Sequence, residues 1–372
     1  MTLRAQIERE IRERGPMPFS RYMEMCLYDP ELGYYSRHAE QFGKAGDFYT
    51  SSDVHAVFGR LMARQFDEMW RALGSPRRID LLELGPGRGL FARDVLDWSE
   101  KKFPDFFHAL NYELVETSPA LRRRLQATLS EAFDAGKSSF GEISGATSPC
   151  IVFANEFFDA LPVEVLSSRG KLHLDLQNNR LAERWLPPAA AELEFLDRYG
   201  VHPGEGERVE VALIAQQYMS RIATTVQQGF LVAIDYGYTR QEQLAGRQRG
   251  TVMAYREHSA SANPYQAPGE QDITAHVNFT ALAAAAEQGG MQVQPLLTQS
   301  QFLMGIGEGN QFADAFEECR LPQERAKVAL QLKHLVTPAG MGESFHALLA
   351  SKGVEESKAR ALSGLNFACG GI

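Results

Sequence analysis

Two groups of residues in this 372-residue chain have the types and spacing for chemistry. The first is Glu83-Leu84-Gly85-Pro86-Gly87-Arg88-Gly89, between an apolar run at 79–84 and a helical pattern at 90–98. Strand, glycine-rich turn and helix together bring backbone N–H groups and a helix N-terminus to a ligand. Glycine allows close approach and φ > 0 there. The spacing excludes two ligands. A dinucleotide fingerprint would need its last glycine at Leu90, and no Gly-Lys-Ser/Thr closes a phosphate loop. What stands is an acid followed by three alternating glycines, a carboxylate beside a backbone cradle, which suits a cationic group better than a pyrophosphate. The second group is Asn155, Glu156 and Asp159, directly after the apolar run 150–154. Open α/β sheets bind ligands at the carboxyl ends of their strands. Asn155 can accept a hydrogen bond from an N–H group, and Glu156 and Asp159 can hold a cation. The alternative is that Asn155 caps a following helix whose dipole the two acids complement.

Other candidates are single residues. Glu116 ends the alternating run 110–116, 27 residues after Gly89. A ribose-binding acid occupies that place in nucleotide-binding folds, usually after about 20 residues. Asp235 lies near the end of the buried-looking run 229–237, and Tyr255 and His276 lie in or near a polar stretch at 238–275. These three are candidate substrate contacts. His276 has the chemistry of a general base, although a lone histidine is as readily structural.

The elements that would position these groups are readable in outline. Amphipathic helices are expected at 3–14, 54–73, 120–135, 209–227, 279–287 and 311–333, with a helix at 19–27 capped by Ser20. Strands are expected at 79–84, 110–116, 150–154, 229–237, 291–297 and 341–349, and short alternating stretches between 164 and 212 suggest a small β excursion. The segment 238–275 reads as a long structureless loop, a feature that is often functional. The loop 43–53, with Gly46, Asp47, Phe48 and Thr50, reads by pattern alone as a flexible connection capped at Ser52 or Asp53.

Bulk properties narrow the class. Hydrophobic residues make up 44% and charged residues 23%, enough to bury a large core. The net charge of −9 argues against broad nucleic-acid binding and makes a basic protein segment the better electrostatic match. Four dispersed cysteines form no disulfide or zinc pattern, so no metal is expected. No apolar run is long enough for a membrane span, and residues 1–14 read as neither secretory signal nor transit peptide. The expectation is a soluble, cytoplasmic protein.

The glycine turn resembles the first motif of S-adenosylmethionine-dependent methyltransferases with a Rossmann-like core. Asn155 to Phe158 resembles the Asn/Asp-Pro-Pro-aromatic motif of amino-group methyltransferases, without either proline. Taken with Gly46-Asp47-Phe48-Tyr49-Thr50, Asn155-Glu156-Phe157-Phe158-Asp159-Ala160-Leu161-Pro162, Asp235-Tyr236-Gly237 and Asp272-Ile273-Thr274-Ala275-His276-Val277, nearly the whole chain resembles the MidA-like family. Its mitochondrial members are complex I assembly factors and protein arginine methyltransferases. Two departures, Ser51-Ser52-Asp53 and Asn278, leave the acceptor side less defined than the cofactor motif.

The resemblance implies an α/β fold with a class I methyltransferase core, a mostly parallel sheet with helices on both faces. An N-terminal helical extension and an inserted substrate-side subdomain complete it. The corresponding divisions are 1–75, 76–237 with the excursion at 164–212, 238–345, and 341–372. S-adenosylmethionine would be held by Glu83, Gly85, Pro86, Gly87, Gly89 and Glu116, with 43–53 as a lid contributing Gly46, Asp47, Phe48 and Thr50. Asn155, Glu156 and Asp159 would act on the acceptor, with Asp47 a third carboxylate. The implied acceptor is an arginine-containing protein segment, with a respiratory complex I subunit as the candidate partner. Two alternatives stay open: a cofactor-binding assembly scaffold with little turnover, and a small-molecule methyltransferase.

Overall fold

The computed structural model describes residues 2–37, 56–145, 149–246, 250–256 and 259–367. The expected lid at 43–53, with Gly46, Asp47, Phe48 and Thr50, therefore lies outside the described residues.

Residues 79–84, apolar except for Asp80 and Glu83, form β2 (Ile79–Leu84), buried at every position. Burial of that kind marks a central strand covered on both faces. Around it the sheet runs in the order β15 (Gln292–Val293), β17 (Phe345–Lys352), β10 (Gly229–Tyr238), β5 (Cys150–Asn155), β2, β3 (Leu110–Val115), β4 (Ser138–Phe140). The pairs β2–β3, β2–β5, β5–β10 and β3–β4 are parallel, and β17 joins β10 antiparallel. Two short strands, β14 (Val277–Asn278) and β16 (Leu297–Thr298), add to β10 and β17. The two-residue alternation of strands splits the core in two. Ile79, Leu81, Ile151 and Phe153 face one cluster with α4 (Ala56–Ala72) and α5 (Leu90–Lys102). Leu82, Leu84, Val152 and Ala154 face another with α10 (Leu213–Thr225) and α12 (Phe279–Gln288). The expected parallel sheet with helices on both faces is thus present. Its strand order reverses between β2 and β5, and the crevice at such a switch point is where open α/β sheets bind ligands.

A second body packs at that end. Helices α1 (Leu3–Arg14) and α2 (Phe19–Tyr28) share a core with β7 (Gly170–Gln177) and β13 (Asp272–Thr274). Strand β1 (Met17–Pro18) pairs antiparallel with β7, in a five-stranded sheet with β6 (Glu164–Ser167), β8 (Arg180–Leu186) and β9 (Arg208–Val211). Packing therefore joins the N-terminal extension, the β excursion and part of 238–275, segments far apart in the chain.

Several local expectations change. The stretch 238–275 is not structureless: it holds α11 (Arg240–Leu244), β11 (Met253–Arg256), β12 (Ser259–Ser261) and β13, the three strands forming one small sheet. Fully buried Ala254 and Ile273 pin that sheet within an otherwise polar sequence. Residues 209–211 of the expected helix 209–227 belong instead to β9, with Val209 and Val211 buried between sheet and helices. The expected helix 311–333 is interrupted into α14 (Ala313–Phe316) and α15 (Pro322–Val336), because Pro322 starts a new helix and cannot continue an old one. Ser20 does not cap α2. Pro18 precedes the helix, and the Ser20 hydroxyl donates to Glu164 across the interface at 2.6 Å. No described helix is long and apolar enough to cross a membrane.

Candidate functional site

The turn after β2 places three glycines in the left-handed region, with φ of 64° at Gly85, 53° at Gly87 and 76° at Gly89. Each has a different neighbour. A Cβ on Gly85 would stand 3.0 Å from the Phe157 ring, and one on Gly89 would stand 2.8 Å from Leu125 of α7 (Pro119–Thr128). A Cβ on Gly87 would meet no protein atom within 4 Å. Gly87 opens onto a cavity of about 510 Å³, whose wall includes Glu83, Gly85, Pro86 and Glu116. Gly89 is not part of that wall. Its missing side chain lets the start of α5 pack against α7.

The acids of the wall are held by burial. Glu83 is 5% exposed and accepts from the Tyr112 hydroxyl at 2.8 Å. Burial pushes its carboxyl up to about 8, against the pull of that bond. Glu116, just past β3, accepts from the Ser118 N–H at 2.7 Å, and burial raises its pKa as well. Both carboxyls therefore favour a ligand that brings positive charge or hydroxyl donors.

The opposite wall comes from the segment after β5. No helix follows directly, so Asn155 is not a helix cap. Its amide donates to Glu156 Oε1 at 3.1 Å, and its Oδ1 is buried without a hydrogen-bond partner among the described residues. Glu156 has φ of 49°, a conformation that costs a non-glycine residue about 1–2 kcal/mol. The next three residues are clamped. Asp235 Oδ2 accepts from the N–H groups of Phe157, Phe158 and Asp159 at 3.2, 3.0 and 3.3 Å, and Oδ1 accepts from that of Tyr236 at 2.9 Å. Asp159, 5% exposed, accepts from the Tyr236 hydroxyl through Oδ2 at 2.5 Å. Its Oδ1 has no hydrogen-bond partner among the described residues. Burial raises the Asp159 carboxyl to about 6, against the Tyr236 bond.

The structure thus brings Glu83, Gly85, Pro86, Gly87, Glu116, Asn155, Glu156 and Asp159 around one cavity. It does not bring Asp235 or His276 there. β10 continues three residues past Asp235, which leaves that side chain 1% exposed within the sheet, serving backbone amides rather than a substrate. His276 packs edge-on to the Tyr236 ring at 5.2 Å and lines a separate void of about 10 Å³. Burial lowers its pKa to about 4, so it stays neutral at pH 7. Tyr255 stands opposite Asp272 in the register of β11 and β13, beside the wall rather than in it. Residues the sequence reading had not assigned also line the cavity: Tyr28, Tyr35, Asp272 and Thr274. Tyr236 acts from behind. Among the described residues, no group of three His, Cys, Asp or Glu side chains is placed to hold a metal.

A family model described as "Putative S-adenosyl-L-methionine-dependent methyltransferase" matches residues 61–297. The mitochondrial protein arginine methyltransferase NDUFAF7 homolog of Drosophila melanogaster is 29% identical over 385 residues, covering 95% of this chain and 85% of that relative. The human protein of that name is 27% identical, covering 91% and 80%. Among solved structures, a Burkholderia thailandensis protein bound to S-adenosyl-homocysteine aligns with a TM-score of 0.84 at 28% identity, over 98% of this chain and 94% of that one.

Proposed function

We propose, from the premise that this chain belongs to the S-adenosyl-L-methionine-dependent methyltransferase family, that it methylates an arginine nitrogen of a protein substrate. The cavity fits the cofactor: Gly87 leaves room that a Cβ would fill, and Glu83 offers a buried carboxyl to a cationic group. In this reading the 85–87 backbone and Glu83 hold the methionine portion, and Glu116 holds ribose hydroxyls. The cofactor supplies an electrophilic methyl group on its sulfonium.

The chain's own residues then bind and orient the acceptor. Glu156 and Asp159 hold the planar guanidinium, which is charged and presents paired donors to carboxylates. Asn155 Oδ1 accepts an N–H of the reacting nitrogen. Asp159 Oδ1 takes the proton that this nitrogen loses, a task matched to a carboxyl raised to about 6. Alignment supplies most of the rate, as expected where two bound groups are brought into register.

The observation that carries this reading is Asp159 Oδ1: buried, without a hydrogen-bond partner among the described residues, and on the wall that Gly87 shares. The names of the relatives support arginine over other nitrogen acceptors. A respiratory complex I subunit is the partner suggested by the family resemblance. The test is transfer of labelled methyl from the donor into extract proteins, hydrolysis, and separation of methylated amino acids. Label in methylarginine, reduced at least tenfold by Asp159→Asn, supports the proposal. Label only in another amino acid, or full transfer by both Asp159→Asn and Glu156→Gln, refutes it.

A further inference from the structure

The cavity has a third wall, to which the donor reading above assigns no residue. Tyr28 closes α2, and its hydroxyl donates to the Ala160 carbonyl at 2.9 Å. Tyr35 lies in α3 (Tyr34–Arg37), and its hydroxyl donates to Asp272 Oδ1 at 3.0 Å. The two rings stand 5.5 Å apart, centroid to centroid. Both tyrosines, Asp272 and Asp159 line the cavity that Gly87 opens onto. Tyr28 is 37% exposed, which places this wall toward solvent. The wall is drawn from the N-terminal extension, the 155–162 segment and β13, none of which belongs to the glycine turn or to β3.

We propose that Tyr28, Tyr35 and Asp272 form the acceptor-entry subsite, which selects a guanidinium and delivers it to Asp159. Aromatic rings and a carboxylate are the combination that recognises this group. A guanidinium stacks on aromatic faces and pairs in plane with a carboxylate, whereas an ammonium is a strongly hydrated point charge. Tyr35 fixes one oxygen of Asp272 by its hydrogen bond, which sets the plane of that carboxylate. Asp159 offers the second, deeper carboxylate with an oxygen turned to no other described residue. The overall charge of −9 favours approach of a basic segment. The N-terminal extension is then the specificity element added to a methyltransferase core.

This inference rests on the arginine reading above, and the test separates the two. Labelled-methyl transfer into extract protein is measured at several extract concentrations for the wild type, Asp272→Asn and Tyr35→Phe. Binding of S-adenosylhomocysteine is measured alongside by calorimetry. Asp272→Asn is expected to raise the apparent KM for acceptor about tenfold, the order expected for one charged hydrogen bond. Its kcat and its affinity for S-adenosylhomocysteine should change less than about threefold, a KM-against-kcat split that a merely structural role would not give. Tyr35→Phe, which keeps the charge and loses only its orienting bond, should raise KM less. If the wild type forms methylarginine and Asp272→Asn keeps its KM, the subsite is wrong and the arginine reading stands. Loss of S-adenosylhomocysteine binding in Asp272→Asn would make Asp272 structural and overturn the subsite. No methylarginine from the wild type overturns both.

Discussion

Replacing Asp235 with asparagine tests whether the acceptor segment is clamped from behind. The carboxylate receives four backbone N–H bonds, three on Oδ2 and one on Oδ1. Asparagine has the same shape and a single acceptor oxygen. With that oxygen facing residues 157–159, its NH2 meets the Tyr236 N–H donor to donor. Stranding one buried N–H costs about 1–3 kcal/mol, and the remaining bonds weaken from charged to neutral acceptors. Two effects offset this. Burial and the neighbouring Asp159 and Glu156 carboxyls raise the Asp235 pKa, so asparagine relieves the cost of holding a charge there, and a loosened segment can release the about 1–2 kcal/mol held at Glu156. A net loss near 2 kcal/mol follows. At about 2.1 cal/mol/K per residue the whole chain has an unfolding entropy near 0.8 kcal/mol/K, so the melting temperature should fall by about 2–3 °C. Activity should suffer more, because a catalytic group displaced by about 1 Å can lose about a hundredfold in rate. Affinity for S-adenosylhomocysteine should hold within about threefold, since Glu83, the glycine turn and Glu116 hang on β2 and β3. Differential scanning calorimetry, single-turnover transfer and binding calorimetry read the three quantities. A melting shift with unchanged transfer rate would refute the clamp as a positioning device. Parallel loss of donor binding would show that Asp235 supports the whole pocket.

Three further outcomes follow from the same geometry. Gly87→Ala should weaken S-adenosylhomocysteine binding at least about tenfold. Gly136→Ala, also at positive φ with open space around it, should show similar left-handed strain in a melt and normal binding; equal binding by both variants would remove Gly87 from the cradle. Stability without ligand should fall as pH rises from about 6.5 to 8. A carboxyl raised to about 8 in the fold is unpenalised below its unfolded value near 4.5, and it opposes folding by about 1.4 kcal/mol per pH unit until 8. Glu210, raised to about 7, adds to the lower part of that window, while His276 at about 4 contributes fully above 6.5 and adds no slope there. Glu83→Gln should lower the slope in melts between pH 6.5 and 8 by about 1.4 kcal/mol per pH unit, leaving what the other buried carboxyls with raised pKa, Asp235 among them, contribute. Binding of the cationic methyl donor at pH 7 should release protons as Glu83 ionises, seen as a buffer-dependent binding enthalpy; no dependence would place Glu83 away from the positive charge.

The donor half of the site was legible because its signals are local. An apolar strand, three glycines and a following helix are contiguous, and parallel sheet geometry brings Glu83, Glu116 and Asn155 to the same edge. Asp235 shows where that logic fails. An acid near the end of an apolar run was read as facing ligand, yet pairing with β14 carries β10 onward and buries it as an amide acceptor. Gly89 fails for a related reason: the motif gives the residue, but only the distance to Leu125 shows that the missing Cβ serves helix packing. In the proposed acceptor half only Asn155, Glu156 and Asp159 have a local signal, a polar cluster at a strand's carboxyl end. Tyr28, Tyr35 and Asp272 lie far apart in the chain, and strands of two to four residues within polar sequence leave no periodicity to read. Their meeting depends on β1 pairing with β7 and on α2 packing against β13. On the proposed reading, the donor site is built around one contiguous motif, and acceptor selection is assembled from distant segments. Substitutions at that accessory interface should therefore change what is methylated before they change whether the donor binds.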